Sequence, residues 1–329
     1  MEAKVMGMSG LKLAAAGLVL ALLVPSSANT QTAPYPTRTI KIIVGFAAGG
    51  GVDIVARLVA QKMQEGLGQN VIIENRTGAN GMLGPDTALK SAPDGYTLLY
   101  AASGQMVVSP AVYAKMPYAT LKDSVPVSMM ASYPLLMVTN ASHPAENLKD
   151  FIAWTKANPD KTNYATTSPA FTLSSEYFKL KTGTPGQVIT YRSSNESVTS
   201  VIGNQTTYAI VEPPPAVPQV AAGKARALGV LAPKRLPEMP NVPTMAEQGV
   251  DINVVLWSGL FAPAGTPPDI VKKLEAECIR IAQLPDVKEK LRVLSTDAIG
   301  STSAEFSKLI DDEIKMWTGI AKEAKVSFE

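Results

Sequence analysis

The chain has 329 residues, with 30 Lys and Arg against 28 Asp and Glu, a formal net charge of +2. That near-neutral balance argues against nucleic acid as a partner, which calls for a basic surface. A single His (His143) and a single Cys (Cys278) leave no intramolecular disulfide, no His-rich metal cluster and only one imidazole for any hydrolytic triad.

The first residues read as an export signal. Lys4 and Lys12 give a positive start, Leu13–Val24 is an uninterrupted apolar run, and Ser26 and Ala28 supply small residues for cleavage after Ala28. The run is short of the about 20 residues that a spanning helix needs. With no Cys nearby, a lipid anchor is not expected. Residues 1–28 are therefore expected to be removed, leaving a chain long enough for two lobes.

After that, apolar runs alternate with helical patterns. Thr39–Phe46 predicts a strand, and Asp53–Leu67 a helix with Ile54, Val55, Leu58, Val59 and Met63 at helical spacing. Asn70–Asn75 predicts a second strand, Met82–Ser91 a short helix and Thr97–Ala102 a third strand. That alternation implies a parallel sheet with helices on its faces. The pattern then recurs. Strands are expected at Leu135–Thr139, Asn163–Ala165, Val188–Tyr191, Tyr208–Val211 and Ala227–Ala232. The helices between them are Asn147–Ala157, Thr172–Lys181, Asn195–Ile202 and one opened by Pro213-Pro214-Pro215. Trp257–Ala262 predicts a further strand. Pro267 and Pro268 open a helix that runs through Ile281, Pro285 opens another, and Ser303–Glu323 forms a long terminal helix. With no low-complexity linker, the chain is expected to cross between lobes more than once. The expected partition is 29–139 plus 256–329 for the first lobe and 140–255 for the second.

Residues fit for binding fall at the ends of the strands. Phe46, Ala47, Gly49, Gly50 and Asp53 lie in a loop with three consecutive glycines, between the first strand and the first helix. Such a loop lets backbone approach a ligand, and free N–H groups at the helix start favour an anion. Asp53 is suited either to cap the helix or to receive a cationic group. A second loop, Asn75–Gly84, contains Ala79 and ends the second strand, so both loops share the rim where open α/β sheets bind ligands. Arg76 beside it is expected to pair with Glu74. Ser103 closes the third strand. In the second half, Thr166-Thr167-Ser168 supplies hydroxyl donors, Tyr191-Arg192 a guanidinium suited to a second carboxylate, and Glu212 a residue lining the same cleft. Ser194 and Asn195 are candidate caps.

A dinucleotide site is a competing pattern, since Glu74 follows the glycines at about the spacing of a ribose-binding acid. Ile54 stands where the third glycine of that fingerprint belongs, and no Walker A or nucleophile-elbow motif is present. Cys278 reads as a buried apolar residue and His143, beside Pro144, as a loop residue.

Several motifs in order resemble the Bug-type receptors of tripartite tricarboxylate transporters. They are Tyr35-Pro36, the Phe46–Asp53 loop, 74–81 (ENRTGANG), 92–99 (APDGYTLL), 156–159 (KANP), 242–247 (VPTMAE) and 262–267 (APAGTP). The resemblance implies an α/β, type II periplasmic binding protein fold: two Rossmann-like lobes with a ligand cleft between them. It implies a periplasmic, monomeric protein that captures a small organic acid for membrane permease subunits, with no cofactor, metal or enzymatic step. Carried onto this chain, Phe46, Ala47, Gly49, Gly50, Asp53 and Ala79 hold one carboxylate, and Thr167, Ser168, Tyr191 and Arg192 read the far end.

The chain departs from the family pattern in three places. Tyr191-Arg192-Ser193-Ser194 replaces Tyr-Lys-Gly-Gly, Ala165–Ala170 replaces a glycine-rich stretch, and Asn204-Gln205 is followed by Thr206-Thr207 rather than an acid. All three fall in the distal half. Arg192, with Phe46, Phe171 and Tyr191 to flank a ring, points to a dicarboxylate, aromatic such as terephthalate. The alternatives are a ligand-sensing receptor feeding a sensor kinase and an exported enzyme acting on a carboxylate.

Overall fold

The computed structural model describes residues 35–191 and 193–328 together with Met1 and Glu2, and for Asn80 the backbone only. The expected signal segment and Arg192 lie outside the described residues. No helix among the described residues is long and apolar enough to cross a membrane.

The first sheet opens with β1 (Ile40–Val44), buried on both faces as a central parallel strand should be. Helix α1 (Gly51–Leu67) follows, burying Val55, Ala56, Leu58, Val59, Ala60 and Met63. It stops at Gly68, which takes the left-handed conformation (φ 68°) and donates its N–H to Gln64 O. Strand β2 (Val71–Asn75), α2 (Leu83–Leu89) and β3 (Thr97–Ala102) complete the unit, with β1 parallel to both β2 and β3. A π-helical turn (Gly104–Val108) leads into the short helices α3 (Ser109–Val112) and α4 (Thr120–Asp123). Strand β4 (Ser124–Pro134) then runs back across the sheet. Sequence patterning missed β4, because burial on both faces and a mix of Ser, Met, Ala and Pro126 erase the period-two signal.

The second sheet holds β5 (Leu136–Asn140), β6 (Asn163–Thr166), β7 (Gln187–Thr190), β8 (Tyr208–Val211) and β9 (Ala225–Val230), in the order β7-β6-β8-β5-β9. Between them lie α5 (Leu148–Ala157), α6 (Pro169–Thr182), α7 (Ser194–Ile202) and α8 (Pro213–Ala221). Asn147 caps α5, accepting Asp150 N–H at 2.9 Å. The chain returns to the first sheet with β10 (Val255–Pro263), antiparallel to β3 and β4. It finishes with α9 (Pro268–Gln283), α10 (Pro285–Val293), β11 (Asp297–Ala298) and α11 (Ser303–Ala324). Thr302 and Glu305 start α11 with a reciprocal capping box. The first sheet reads β11-β4-β10-β3-β1-β2.

Two corrections follow for the expected layout. The sheets are mixed, because β10 and β5 run against their neighbours. And the strand expected to close the first lobe belongs to the second: β5 pairs with β8 and β9, so the crossing precedes Leu136 rather than following Thr139. A run of buried apolar residues shows that a strand is central, but not which sheet it is central to.

The core is continuous across both sheets. Trp257 and Phe261 of β10 pack on Phe306 of α11, with ring centroids 4.9 and 5.0 Å from Phe306. Each such fully buried aromatic stabilises the fold by about 1.5–3 kcal/mol. Helix α6 of the second lobe lies against α11 and the π-turn of the first. A methyl group placed on Gly104 would meet Ala170 Cβ at 3.6 Å, an ordinary van der Waals contact, so the π-turn and α6 lie close together there.

Candidate functional site

The rim of the first lobe is built from two loops that brace each other. Between β1 and α1, residues Ala47–Gly51 are exposed and Gly50 leads into the helix with extended backbone and no side-chain cap. The first N–H groups of α1 therefore face the rim with partial positive charge. Asp53 does not join them there. Its side chain is 1% exposed and turned inward. Oδ2 accepts Gly49 N–H and Arg57 Nε–H, both at 2.8 Å, and Oδ1 accepts Asn75 Nδ2–H at 2.8 Å. Asn75 also donates to Phe46 O at 2.9 Å, and Arg57 donates to Asn75 Oδ1 at 3.0 Å. Burial works to raise the Asp53 carboxyl, but the hydrogen bonds from Arg57, Asn75 and Gly49 outweigh it and hold the group below its usual value. Asp53 thus holds the glycine loop from behind.

The second loop is tied to the first at close range. A Cβ on Gly84 would come 2.5 Å from Gly45 Cα, and a Cβ on Gly45 would come 2.7 Å from Gly81 O. Only glycine at both positions permits that approach. Gln105 locks the junction, donating to Gly81 O at 2.6 Å and accepting Ala102 N–H at 3.2 Å. Ala79 projects from this loop, exposed and with φ 47°, a conformation unusual for alanine and found most often where function requires it. Arg76 pairs with Glu74, as expected, and Lys41 reaches the other Glu74 oxygen at 2.6 Å. Glu74 is thus committed to two cations, which removes the ribose-binding alternative. Ser103 lies below the rim: 1% exposed, its hydroxyl accepts Trp257 N–H at 3.3 Å.

The second lobe offers a different surface. Strands β6, β7 and β8 are parallel, so their C-terminal residues share one edge. Thr167 and Ser168 are half-buried there, and Ser168 begins α6 without using its side chain as a cap. Thr166, by contrast, is buried and bonded to Thr172 at 3.0 Å. Tyr191 continues the rim, donating its N–H to Thr166 O at 2.7 Å. Ser193, rather than Ser194 or Asn195, caps α7. Ser194 instead donates to Glu212 Oε2 at 2.9 Å. Burial pushes the Glu212 carboxyl up, while its own N–H and Ser194 act the other way.

His143 and Cys278 stand apart from this edge. His143 Nδ1 accepts Ala145 N–H at 3.1 Å, and its ring stacks edge-on against Trp154 at 4.5 Å. Cys278 is fully buried in α9. Two hollows of about 250 Å³ both lie on the second lobe away from the rims, one beside Lys149, Ile152 and Gly249, the other beside His143 and Lys161. Among the described residues no group of three or more His, Cys, Asp or Glu is placed to hold a metal.

Sequence reasoning missed the supports rather than the rim. Arg57 was legible as a cation one helical turn after Asp53. Gln105 gave no signal, because its partners are backbone groups brought in from distant strands. A third unseen group is a carboxylate, Glu313 of α11. It accepts Trp257 Nε1–H at 2.8 Å, and burial pushes it up to about 7 against the opposing influence of Trp257 and Trp317.

The profile of the tripartite tricarboxylate transporter family receptor matches residues 55–326. The chain belongs to this family. Protein BugT of Bordetella pertussis is 35% identical over 325 residues, 97% of each chain. Among solved structures, R. palustris Rpa4515 with adipate superposes with a TM-score of 0.81 at 29% identity, covering 89% of this chain and 99% of its own. MatC of Rhodopseudomonas palustris with bound malate gives 0.77 at 30% identity, covering 87% and 99%. The family is one of periplasmic solute-binding receptors that serve a transporter, and the two-lobe α/β fold is the one its solved members share.

Proposed function

We propose that this receptor captures a small dicarboxylate between the two rims and presents it to membrane permease subunits. One carboxylate docks on the uncapped start of α1 and the Ala79 loop, with Phe46, Ala47, Gly49 and Gly50 around it. Thr167, Ser168, Tyr191 and Arg192 read the distal end. Asp53 serves as support for the first loop, and Ser103 as support below the rim. The observation that carries this reading is the α1 N-terminus: exposed glycines, free N–H groups, and a buried carboxylate braced behind them. The adipate and malate bound to related receptors are both dicarboxylates, which supports the substrate class.

Half-exposed Phe46 and half-buried Phe171 and Tyr191 favour an aromatic spacer such as that of terephthalate. Lobe closure follows if the ligand binds the closed state more tightly than the open one. The working form is an exported monomer cleaved after Ala28. Thermal unfolding of the mature protein against aliphatic and aromatic mono-, di- and tricarboxylates tests the reading. Ligand at about 100 times its Kd adds roughly 2.7 kcal/mol of stability. A response confined to dicarboxylates supports it. A folded protein with no response to any acid overturns it. A response only to monocarboxylates removes the distal role of Arg192.

A further inference from the structure

Glu212 is the first residue after β8, at the edge where β6 and β7 also end. On its other side β8 pairs with β5, and Val211 faces Leu136, so Glu212 stands next to the chain crossing at Pro134–Leu135. Tyr133, at the end of β4, is close enough for its phenol to feel the Glu212 charge. Glu212 thus lies beside the chain crossing between the lobes, on the same strand edge as Thr167 and Ser168. Among the described residues its one side-chain donor is Ser194, on Oε2, and no cation pairs with it. A half-buried carboxyl in such surroundings gains from a donor and repels a second carboxylate.

We infer that Glu212 reads a hydrogen-bond donor on the ligand, so the receptor selects carboxylic acids that carry a hydroxyl or amino group over their unsubstituted counterparts. The inference rests on the carboxylate-binding reading and sharpens it. The ligand's carboxylates go to the α1 loop and the Thr167–Ser168 hydroxyls, and its hydroxyl or ammonium goes to Glu212. Burial pushes this carboxyl up by disfavouring its ionised form, and a donor from the ligand works against that by stabilising the carboxylate.

Titration calorimetry at pH 8 with matched pairs tests this: succinate with malate and aspartate, and terephthalate with 2-hydroxyterephthalate and 2-aminoterephthalate. Wild type is expected to bind at least one substituted acid tenfold or more tighter than its parent. Glu212→Gln should bring that ratio to within about threefold of one and unfold at a temperature no lower than wild type. A ratio that survives in Glu212→Gln overturns the inference and leaves carboxylate binding intact. So does a wild type that prefers the unsubstituted parent over every substituted acid. A folded wild type that binds none of these acids overturns both readings.

Discussion

The two rims solve different problems with different materials. The first is cross-braced: Asp53, Arg57, Asn75 and the Phe46 carbonyl form one network, and Gly45, Gly81, Gly84 and Gln105 form another beneath it. The second is a row of hydroxyls and one carboxyl with few ties among themselves, beside an edge strand, β7, that is exposed along its whole length. A braced rim fixes backbone N–H groups for a feature every acid ligand has. A loosely tied rim can change residue by residue without loss of the fold, and all three departures from the family pattern lie in the lobe that carries it.

The contrast is broken most severely at Gly84. Gly84→Ala forces a methyl against the Gly45 backbone, and we expect a loss of about 3 kcal/mol in denaturant unfolding, with carboxylate binding lost in what remains folded. A loss under about 1 kcal/mol would show that the loops can separate freely.

Next comes Asp53→Asn, which turns an amide donor toward groups that are themselves donors and should cost about 2 kcal/mol at pH 7. The pH dependence has a definite sign. Asp53 is held below its usual value of 3.8, so its contribution is present above that pH and is lost as pH falls through the lower folded value. The gap between wild type and Asp53→Asn should therefore close in acid, as read by unfolding curves at pH 7 and about pH 3.

Glu313 behaves in the opposite way. Its folded form keeps a proton that the unfolded chain gives up between 4.5 and about 7, so stability falls as pH rises through that interval. Glu313→Gln should be more stable than wild type by about 1–2 kcal/mol at pH 8 and indistinguishable from it near pH 4. The smallest stability effect is expected on the second rim. Thr167→Val and Ser168→Ala should stay within about 0.5 kcal/mol of wild type, since neither hydroxyl caps a helix or bonds within the described residues. Each should nevertheless weaken dicarboxylate binding by roughly three- to tenfold in calorimetry. Unchanged affinity in both would move the distal contacts elsewhere.

Sequence patterning read the first rim well, because its signals are local: three glycines after a buried strand, and a second glycine loop after the next strand. Most strands and helices were legible for the same reason. What stayed hidden depends on long-range assembly. β4 carries no period because both faces are covered, and β5 could be recognised as a central strand without revealing its partners. Asp53 was legible as a helix-start acid, yet only the fold shows that it points inward. Glu212 and Glu313 owe their character to burial by segments far away in the chain.

Cys278 lies at the core end of α9 with no exposed surface, and burial holds its thiol in the protonated form. Thiol-directed dyes and spin labels attack thiolates that solvent can reach, so the native protein is silent to them. A pair of cysteines introduced at exposed positions, one on each sheet's outer helices, can be labelled without first removing Cys278. Lobe separation then becomes a distance that can be followed as ligand is added.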